Sequence, residues 1–199
     1  MTRGRIIILS GPSGVGKTTL HDLLLSTPPF KGRIVRSISA TTRQPRGQER
    51  HGRDYLFLSP KMFAYKVRAG HFLEWMKVFD HYYGTPLKNV HDAQARGQHV
   101  LLCIDVHGAL AVKAKILDAL MIFVKTPTPE ELRRRLEARG TDSPASVAIR
   151  LKKACAEIDL AARYDHVVVN NTLPEAFKQL ATIVAQELGI VLKGNVTEA

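Results

Sequence analysis

Short apolar runs alternate with segments of helical periodicity over most of the chain. Five apolar runs are predicted to be strands, at residues 5–10, 33–38, 99–105, 120–125 and 166–170. Most are apolar at consecutive positions, which is typical of strands that are covered on both faces. Five segments with helical spacing are found at residues 17–26, 108–117, 130–139, 146–163 and 175–188. The alternation predicts an α/β fold in three layers, with a central parallel sheet between helices.

Residues 39–90 have a different pattern. They are rich in Arg, His, Tyr and Gly, with short strands predicted at 54–58 and 72–78 and a short helix at 60–69. We interpret this segment as a small lobe inserted into the core. The whole chain is then one domain, 1–199, with these predicted parts: a core of residues 1–38 and 91–189, the lobe 39–90, a lid region 134–150 within the core, and a C-terminal tail 190–199.

A glycine-rich segment joins the first predicted strand to the first predicted helix, and it matches the G-x-x-x-x-G-K-[ST] phosphate-binding loop. Its residues are Gly11, Pro12, Ser13, Gly14, Val15, Gly16, Lys17 and Thr18, and Thr19 follows. Glycines let backbone N–H groups surround an anion, and a helix N-terminus adds partial positive charge. Lys17 can reach the β- and γ-phosphates, and Thr18 can offer its hydroxyl to Mg²⁺. The segment predicts binding of a nucleoside triphosphate.

The formal net charge of +11 leaves three explanations open: a solubilising surface, a nucleic-acid site, or a site for a highly anionic small ligand. Many arginines lie in clusters, and arginine makes planar, bidentate phosphate contacts. Aromatic residues do not alternate with the basic ones as they do in single-strand binding proteins. The pattern favours the small ligand, and we expect no nucleic-acid partner. No apolar run approaches the length of a transmembrane span, so no membrane partner is expected either.

The two cysteines, Cys103 and Cys155, are far apart and lack metal-ligand spacing, which indicates free, buried thiols in a reducing compartment. The first predicted strand begins almost at Met1, which leaves no room for a signal peptide. These features predict a cytoplasmic protein. The sequence leaves the oligomeric state undetermined, with a homodimer as one alternative.

Two further regions carry candidate chemistry. Asp105 ends an apolar strand, where a carboxylate can hold a metal ion through water; the alternative is a surface carboxylate. Arg135 and Arg139 lie four residues apart on one helix face, and with Arg150 they form a candidate arginine clamp over phosphate oxygens. The alternative is a solvated basic face. Residues 140–144 between them form a polar break that we predict to be a mobile flap.

Several blocks in the lobe and lid together resemble the guanylate kinase family. They are Ser39-Ala40-Thr41-Thr42-Arg43-Gln44-Pro45-Arg46, Glu49, His51-Gly52-Arg53-Asp54-Tyr55, Phe72-Leu73-Glu74-Trp75, Tyr82-Tyr83-Gly84-Thr85-Pro86 and Arg135-Leu136-Glu137-Ala138-Arg139-Gly140. The resemblance extends from about residue 5 to about residue 188 and keeps the order of the blocks. It implies an enzyme that transfers a phosphoryl group from ATP to GMP, with Mg²⁺, and it makes residues 39–90 the GMP-binding lobe.

The resemblance also implies roles for individual residues. Those that match the family's GMP-phosphate ligands are Arg43, Arg46, Tyr55 and Tyr83, and those that match its guanine ligands are Ser39, Glu74 and Thr85. Arg135, Arg139 and Arg150 match residues that face the phosphates, and Asn170 matches a position near the adenine of ATP. A carboxylate such as Glu74 can accept from guanine N1–H and N2–H₂, which adenine lacks, so the wrong base leaves it unpaired.

This chain departs from the family pattern at two positions of one motif. Where the family usually has Asp-x-Asp-x-Gln-Gly, this chain has Cys103-Ile104-Asp105-Val106-His107-Gly108. One carboxylate near the nucleotides is replaced by a thiol, for which the other interpretation is a small apolar filler. The departure suggests a guanylate kinase with altered metal or GMP handling. The alternatives for the whole chain are a related kinase with another acceptor or altered rate, a non-catalytic guanylate kinase-like binding module, and a basic nucleic-acid binder, the last indicated by charge alone.

Overall fold

The computed structural model describes residues 3–138 and 144–192. The strands of the described residues are β1 (Ile6–Ser10), β2 (Ile34–Arg36), β3 (Ala40–Thr41), β4 (Leu56–Phe57), β5 (Phe72–Val78), β6 (His81–Pro86), β7 (His99–Cys103), β8 (Leu120–Lys125) and β9 (His166–Val169). The helices are α1 (Lys17–Ser26), α2 (Pro60–Arg68), α3 (Leu87–Ala95), α4 (Val106–Lys115), α5 (Pro129–Glu137), α6 (Pro144–Ile158) and α7 (Leu173–Leu188), and a 3₁₀ helix follows α6 at Asp159–Arg163.

Five strands form the central sheet in the order β2-β7-β1-β8-β9, and all of its pairings are parallel. Leu9 on β1 pairs with Cys103 on β7, and Ser10 pairs with Phe123 on β8. The carboxyl ends of these strands therefore meet at one edge of the sheet, where ligands of open α/β folds bind. The predicted fold class, an α/β P-loop fold with a central parallel sheet, is confirmed.

The core lies on both faces of this sheet, as the consecutive apolar positions predict. Ile7 and Leu9 point to a cluster that includes Leu20 of α1 and Leu180 of α7. Ile6 and Ile8 point to the opposite cluster, which includes residues of α3 and α4. Alternate residues of one strand serve two cores because side chains of a strand point to opposite faces.

A second sheet of four strands, in the order β4-β3-β6-β5, forms most of the segment between β2 and α3. Its own small core contains Ala40, Phe63 and Phe72. The rings of Phe63 and Phe72 stack with centroids 4.6 Å apart, and the Tyr82 ring lies 5.6 Å from Phe63. This part of the chain thus has a hydrophobic centre separate from the main sheet.

Some elements differ from the predicted ones. The sequence did not predict β3, β6 or α3, since β6 reads His-Tyr-Tyr-Gly-Thr-Pro and is mostly polar or aromatic. Strand β7 ends at Cys103 and α4 begins at Val106, because the Asp105 side chain caps that helix by accepting from Gly108 N at 2.8 Å. The segment predicted as one helix at 146–163 is α6 followed by a 3₁₀ helix. Within residues 3–138 and 144–192, no helix has the length and apolarity that a membrane span requires.

Candidate active site

A cavity of about 470 Å³ opens beside the carboxyl ends of β1 and β7, between the glycine-rich loop, the second sheet and α6. Eleven residues that the sequence singled out for a site line it: Gly11, Ser13, Lys17, Thr18, Ser39, Arg46, Tyr55, Glu74, Tyr83, Asp105 and Arg150. They come from four separate parts of the chain. The structure therefore joins the predicted donor and acceptor regions in one site.

The glycine-rich loop needs glycine at specific positions. Gly16 is the N-cap of α1 with φ of 91°, a left-handed conformation that glycine adopts without strain. Gly11 has φ of 138°, and a Cβ there would lie 2.1 Å from the carbonyl oxygen of Val124 on β8. A side chain at Gly11 would collide with the sheet, and one at Gly16 would strain the backbone.

Lys17 bends back over the loop. Its Nζ donates to the carbonyl oxygens of Gly11 and Pro12, each at 2.7 Å. The ammonium group is thus held above the loop before any phosphate binds. Thr18 and Thr19 follow in the first turn of α1, and both are exposed.

Asn170 supports this loop from below. It is 4% exposed, and its Nδ2 donates to the carbonyl oxygen of Val15 at 2.8 Å. A Cβ at Gly16 would lie 2.4 Å from the same Nδ2. Val15 is itself buried, so the loop is anchored to the end of β9. The predicted adenine contact of Asn170 remains a prediction, whereas its side-chain amide holds the phosphate loop in this structure.

Glu74 and Thr85 form a buried pair on adjacent strands of the second sheet. Thr85 Oγ1 donates to Glu74 Oε1 at 2.7 Å, and Glu74 is only 5% exposed. Burial raises the pKa of Glu74 to about 7; the Thr85 hydrogen bond opposes this shift and the charge of Asp105 adds to it. A Cβ at Gly108 would lie 2.9 Å from Glu74 Oε2, so this glycine makes room for the carboxylate.

The predicted GMP-phosphate ligands form a basic and aromatic group beside this pair. Arg43 is buried, and its Nη2 donates to Glu49 Oε1 at 2.9 Å. Its Cζ lies 5.4 Å from the centre of the Tyr55 ring, and that ring makes an edge contact with Tyr83 at 6.1 Å. Arg46 is exposed, and its backbone N donates to Glu49 Oε2 at 2.8 Å.

Glu49 therefore organises both arginines, although no role of its own was predicted for it. The hydrogen bond from Arg43 lowers the pKa of the Glu49 carboxyl, which keeps it charged. Glu49 contacts the Arg43 guanidinium with one oxygen and the Arg46 backbone with the other. Glu49 lies six residues after Arg43 and three after Arg46, and this spacing was the only sequence signal for the arrangement.

Cys103 and Asp105 line the cavity beside Lys17. Asp105 uses one oxygen for the cap of α4. Burial raises the pKa of the Cys103 thiol, and the nearby charges of Lys17 and Arg36 oppose that effect. Cys103 and Cys155 are both free cysteines, as predicted, but the prediction that both are buried is wrong: Cys155 is exposed on α6 and Cys103 is partly buried at the cavity.

The lid arginines take different positions. Arg150 on α6 lines the cavity, whereas Arg135 on α5 donates from Nη2 to the carbonyl oxygens of Asn170 and Asn171, at 2.9 and 3.2 Å. Its Nε donates to Glu131 Oε1 at 2.7 Å. Arg139 and residues 140–143 of the predicted flap lie outside the described residues.

Among the lining residues that the sequence analysis missed are two charged ones on α6. Lys153 and Glu157 lie on α6 at three and seven positions after Arg150, and both face the cavity. Glu157 is buried, and its carboxylate forms an ion pair with Lys153 at 3.5 Å. The helical period starting from Arg150 was the signal that could have found them.

The described residues contain no group of three or more His, Cys, Asp or Glu side chains arranged to hold a metal ion. Mg²⁺ does not need such a group, because it binds through one or two protein oxygens, several waters and the phosphates of its nucleotide. The Thr18 hydroxyl and the Asp105 carboxylate are oxygen donors in the wall of one cavity with Lys17.

The site combines a phosphate loop at the carboxyl edge of a parallel sheet with a separate lobe that carries arginines and a buried carboxylate. These features define a P-loop phosphotransferase with two substrate sites. A family model described as guanylate kinase matches residues 3–187. The chain belongs to the guanylate kinase family.

Individual relatives agree with this assignment. Guanylate kinase from Myxococcus xanthus is 46% identical over 186 residues, which cover 92% of this chain and 87% of that protein. The protein of the same name from Rubrobacter xylanophilus is 44% identical and the match covers 92% and 94% of the two chains. A crystal structure of guanylate kinase from Anaplasma phagocytophilum matches with a TM-score of 0.75 and 34% identity, covering 94% of this chain and 87% of that one. The sequence prediction of an ATP:GMP phosphotransferase is confirmed at the level of the family.

Proposed function

We propose that this chain transfers the terminal phosphoryl group of Mg²⁺-ATP to GMP, and to dGMP. The observation that carries the proposal is the common cavity of Lys17 and Thr18 with Glu74. These residues are, respectively, a phosphate ligand, a metal ligand and a guanine ligand. A two-substrate kinase needs all three around one space.

The donor half consists of the phosphate loop, from Gly11 to Thr19, with Asn170 behind it. Lys17 now donates to two neutral carbonyl oxygens, and phosphate oxygens are stronger, charged acceptors for the same ammonium group. The Thr18 hydroxyl and the Asp105 carboxylate would hold Mg²⁺, the carboxylate through water. The metal ion, when bound, neutralises charge on the β- and γ-phosphates.

The acceptor half reads the base and the phosphate of GMP separately. Glu74 accepts from guanine N1–H and N2–H₂. The Thr85 hydroxyl turns from Glu74 to donate to O6. Ser39, which lines the same cavity, is the third guanine ligand. Adenine leaves this buried carboxylate without donors, which costs binding free energy. The GMP phosphate is held by the basic and aromatic group of Arg43, Arg46, Tyr55 and Tyr83. Both contacts are the same in dGMP, which supports it as a second acceptor.

The lid supplies positive charge to the phosphoryl group as it moves. Arg150 already lines the cavity, and Arg135 and Arg139 are proposed to join it when the lid closes. In this structure Arg135 donates to the carbonyl oxygens of Asn170 and Asn171, which follow β9. Closure then requires that Arg135 exchange these neutral acceptors for charged phosphate oxygens.

The proposal is tested by ADP release with Mg²⁺-ATP and a panel of GMP, dGMP, AMP, CMP and UMP. Turnover should be confined to GMP and dGMP, and chelation of Mg²⁺ should abolish it. Silence across the panel from well-folded protein would support a non-catalytic binding module instead. The intact Lys17 and Thr18 argue for catalysis. A cytoplasmic location is part of the proposal and is supported by the two free cysteines.

A further inference from the structure

Phe79 lies at the tip of the hairpin between β5 and β6, in an unusual backbone conformation. Among residues 3–138 and 144–192, it is the one residue other than glycine with a positive φ, 53°. Its side chain is 51% exposed. Bulky residues adopt this conformation rarely, and such backbone is concentrated at functional sites. An exposed aromatic ring in this conformation therefore needs an explanation beyond core packing.

The ring contacts two cations of α6. The Arg150 Cζ lies 5.9 Å from the ring centre, and the Lys153 Nζ lies 5.3 Å from it. All three residues line the cavity of the candidate active site. The hairpin belongs to the predicted GMP-binding lobe, whereas α6 contains residues of the predicted lid. The ring is thus a direct link between the part that receives GMP and a part that faces the phosphates.

The contact has a clear physical effect on Arg150. The negative face of an aromatic ring attracts guanidinium and ammonium groups within about 6 Å of its centre. Arg150 and Lys153 are one helical turn apart, so their charges repel, and a ring that contacts both reduces the cost of holding them together. Lys153 also approaches Glu157 at 3.5 Å, which directs its ammonium group from the other side. Arg150 is thereby kept at the cavity wall.

We propose that Phe79 is a positioning residue for the phosphoryl transfer: its ring holds the guanidinium of Arg150 at the cavity and ties the GMP-binding lobe to α6. Phe79 is the first residue of the two-residue turn between β5 and β6, and from there its ring contacts α6. This inference rests on the proposed function, because Arg150 has a task there only if a phosphoryl group is transferred.

The first experiment compares variants that separate the ring from the backbone. Phe79→Leu keeps an apolar side chain without a π face, Phe79→Gly removes the ring and favours the positive φ, and Phe79→Tyr keeps the ring. We expect kcat to fall about two- to five-fold for Leu and Gly, the size of one exposed cation–π contact, and to stay near wild type for Tyr. The KM for GMP should change little. Tyr65→Leu, another exposed aromatic of the lobe at 55% exposure, is the matched control and should leave kcat unchanged.

The second experiment asks whether Phe79 acts through Arg150. In an Arg150→Met background, Phe79→Leu should produce no further loss of kcat, because the guanidinium through which the ring is proposed to act has gone, although Lys153 still contacts the ring. Equal losses in both backgrounds would overturn the proposal, and so would a wild-type kcat for Phe79→Leu in an active enzyme. An inactive wild type on GMP would instead overturn the proposed function, so the two failures are distinguishable.

Discussion

The Thr85 hydroxyl donates a hydrogen bond of 2.7 Å to the carboxylate of Glu74, and both side chains are buried. The two residues are paired with each other before a base arrives. The carboxylate also lines the cavity, from which further donors can approach it. In the proposed function, guanine N1–H and N2–H₂ approach from this cavity, and the Thr85 hydrogen bond holds the carboxylate in place for them.

Replacing Glu74 by Gln should damage GMP turnover selectively. The amide keeps an oxygen that can accept from Thr85, but its NH₂ group faces the donors of guanine. Loss of a charge-assisted contact costs about 1.5–3 kcal/mol, so kcat/KM for GMP should fall about 10- to 150-fold. The measurement is steady-state kinetics with GMP, and Lys88→Met, which changes an exposed lysine on α3, is the control. An unchanged kcat/KM would show that Glu74 does not read the base.

The pH dependence of GMP use should follow the Glu74 carboxyl. Its pKa is about 7, so it is largely neutral at pH 6 and largely ionised at pH 8. Because the ionised form accepts from guanine, kcat/KM for GMP should rise about ten-fold over this interval. The Gln variant at position 74 should lose that part of the profile and keep whatever part comes from the phosphate of GMP. A wild-type profile identical to that of the variant would contradict the assignment.

The Glu74 contribution to the free energy of unfolding should fall as pH rises, whereas kcat/KM for GMP should rise. Glu74 has a raised pKa in the folded state, so folding is favoured where the carboxyl is protonated. Its contribution is fully present below about pH 4.5 and is lost as pH rises through about 7, amounting to at most about 3 kcal/mol. Urea unfolding at pH 5 and pH 8 measures it, with the Gln variant as reference. The difference between wild type and variant should therefore depend on pH, and a constant difference would refute this cause.

Asn170→Ala should loosen the phosphate loop. The variant leaves the buried carbonyl oxygen of Val15 without its 2.8 Å hydrogen bond, at a cost of about 1–3 kcal/mol. We expect a lower Tm and a higher KM for ATP, with the KM for GMP little affected. Asn171→Ala is the matched control, because Asn171 is exposed and only its backbone carbonyl contacts Arg135. If the two variants behave alike, the amide of Asn170 does not support the loop.

Cys103→Asp restores the carboxylate that the family pattern has at this position. Burial raises the pKa of the present thiol and would also oppose the charge of an aspartate, whereas the charges of Lys17 and Arg36 favour the ionised form. We expect a higher kcat or a lower KM for GMP, measured at several Mg²⁺ concentrations. Cys103→Ser controls for loss of the sulfur alone. No change in either constant would show that the missing carboxylate is not limiting.

Much of this protein follows from local sequence. The consecutive apolar positions of β1, β7 and β8 require burial on both faces, which predicts a parallel sheet. The Gly11–Thr18 segment matches a phosphate-binding motif, and the structure places it between β1 and α1, as the order of residues predicted. The family resemblance named the acceptor-site residues, although it contained no distances or contacts between them.

The tertiary structure decided the contacts between distant parts of the chain. Asn170 supports Val15 across 155 positions, and Phe79 meets Arg150 only because the hairpin and α6 face the same cavity. Hydrophobic periodicity reports which face of an element is buried, but it does not report which element covers that face. The sheet order β2-β7-β1-β8-β9 differs from chain order, so side chains far apart in sequence become neighbours, and their distances and pKa values arise only from that docking.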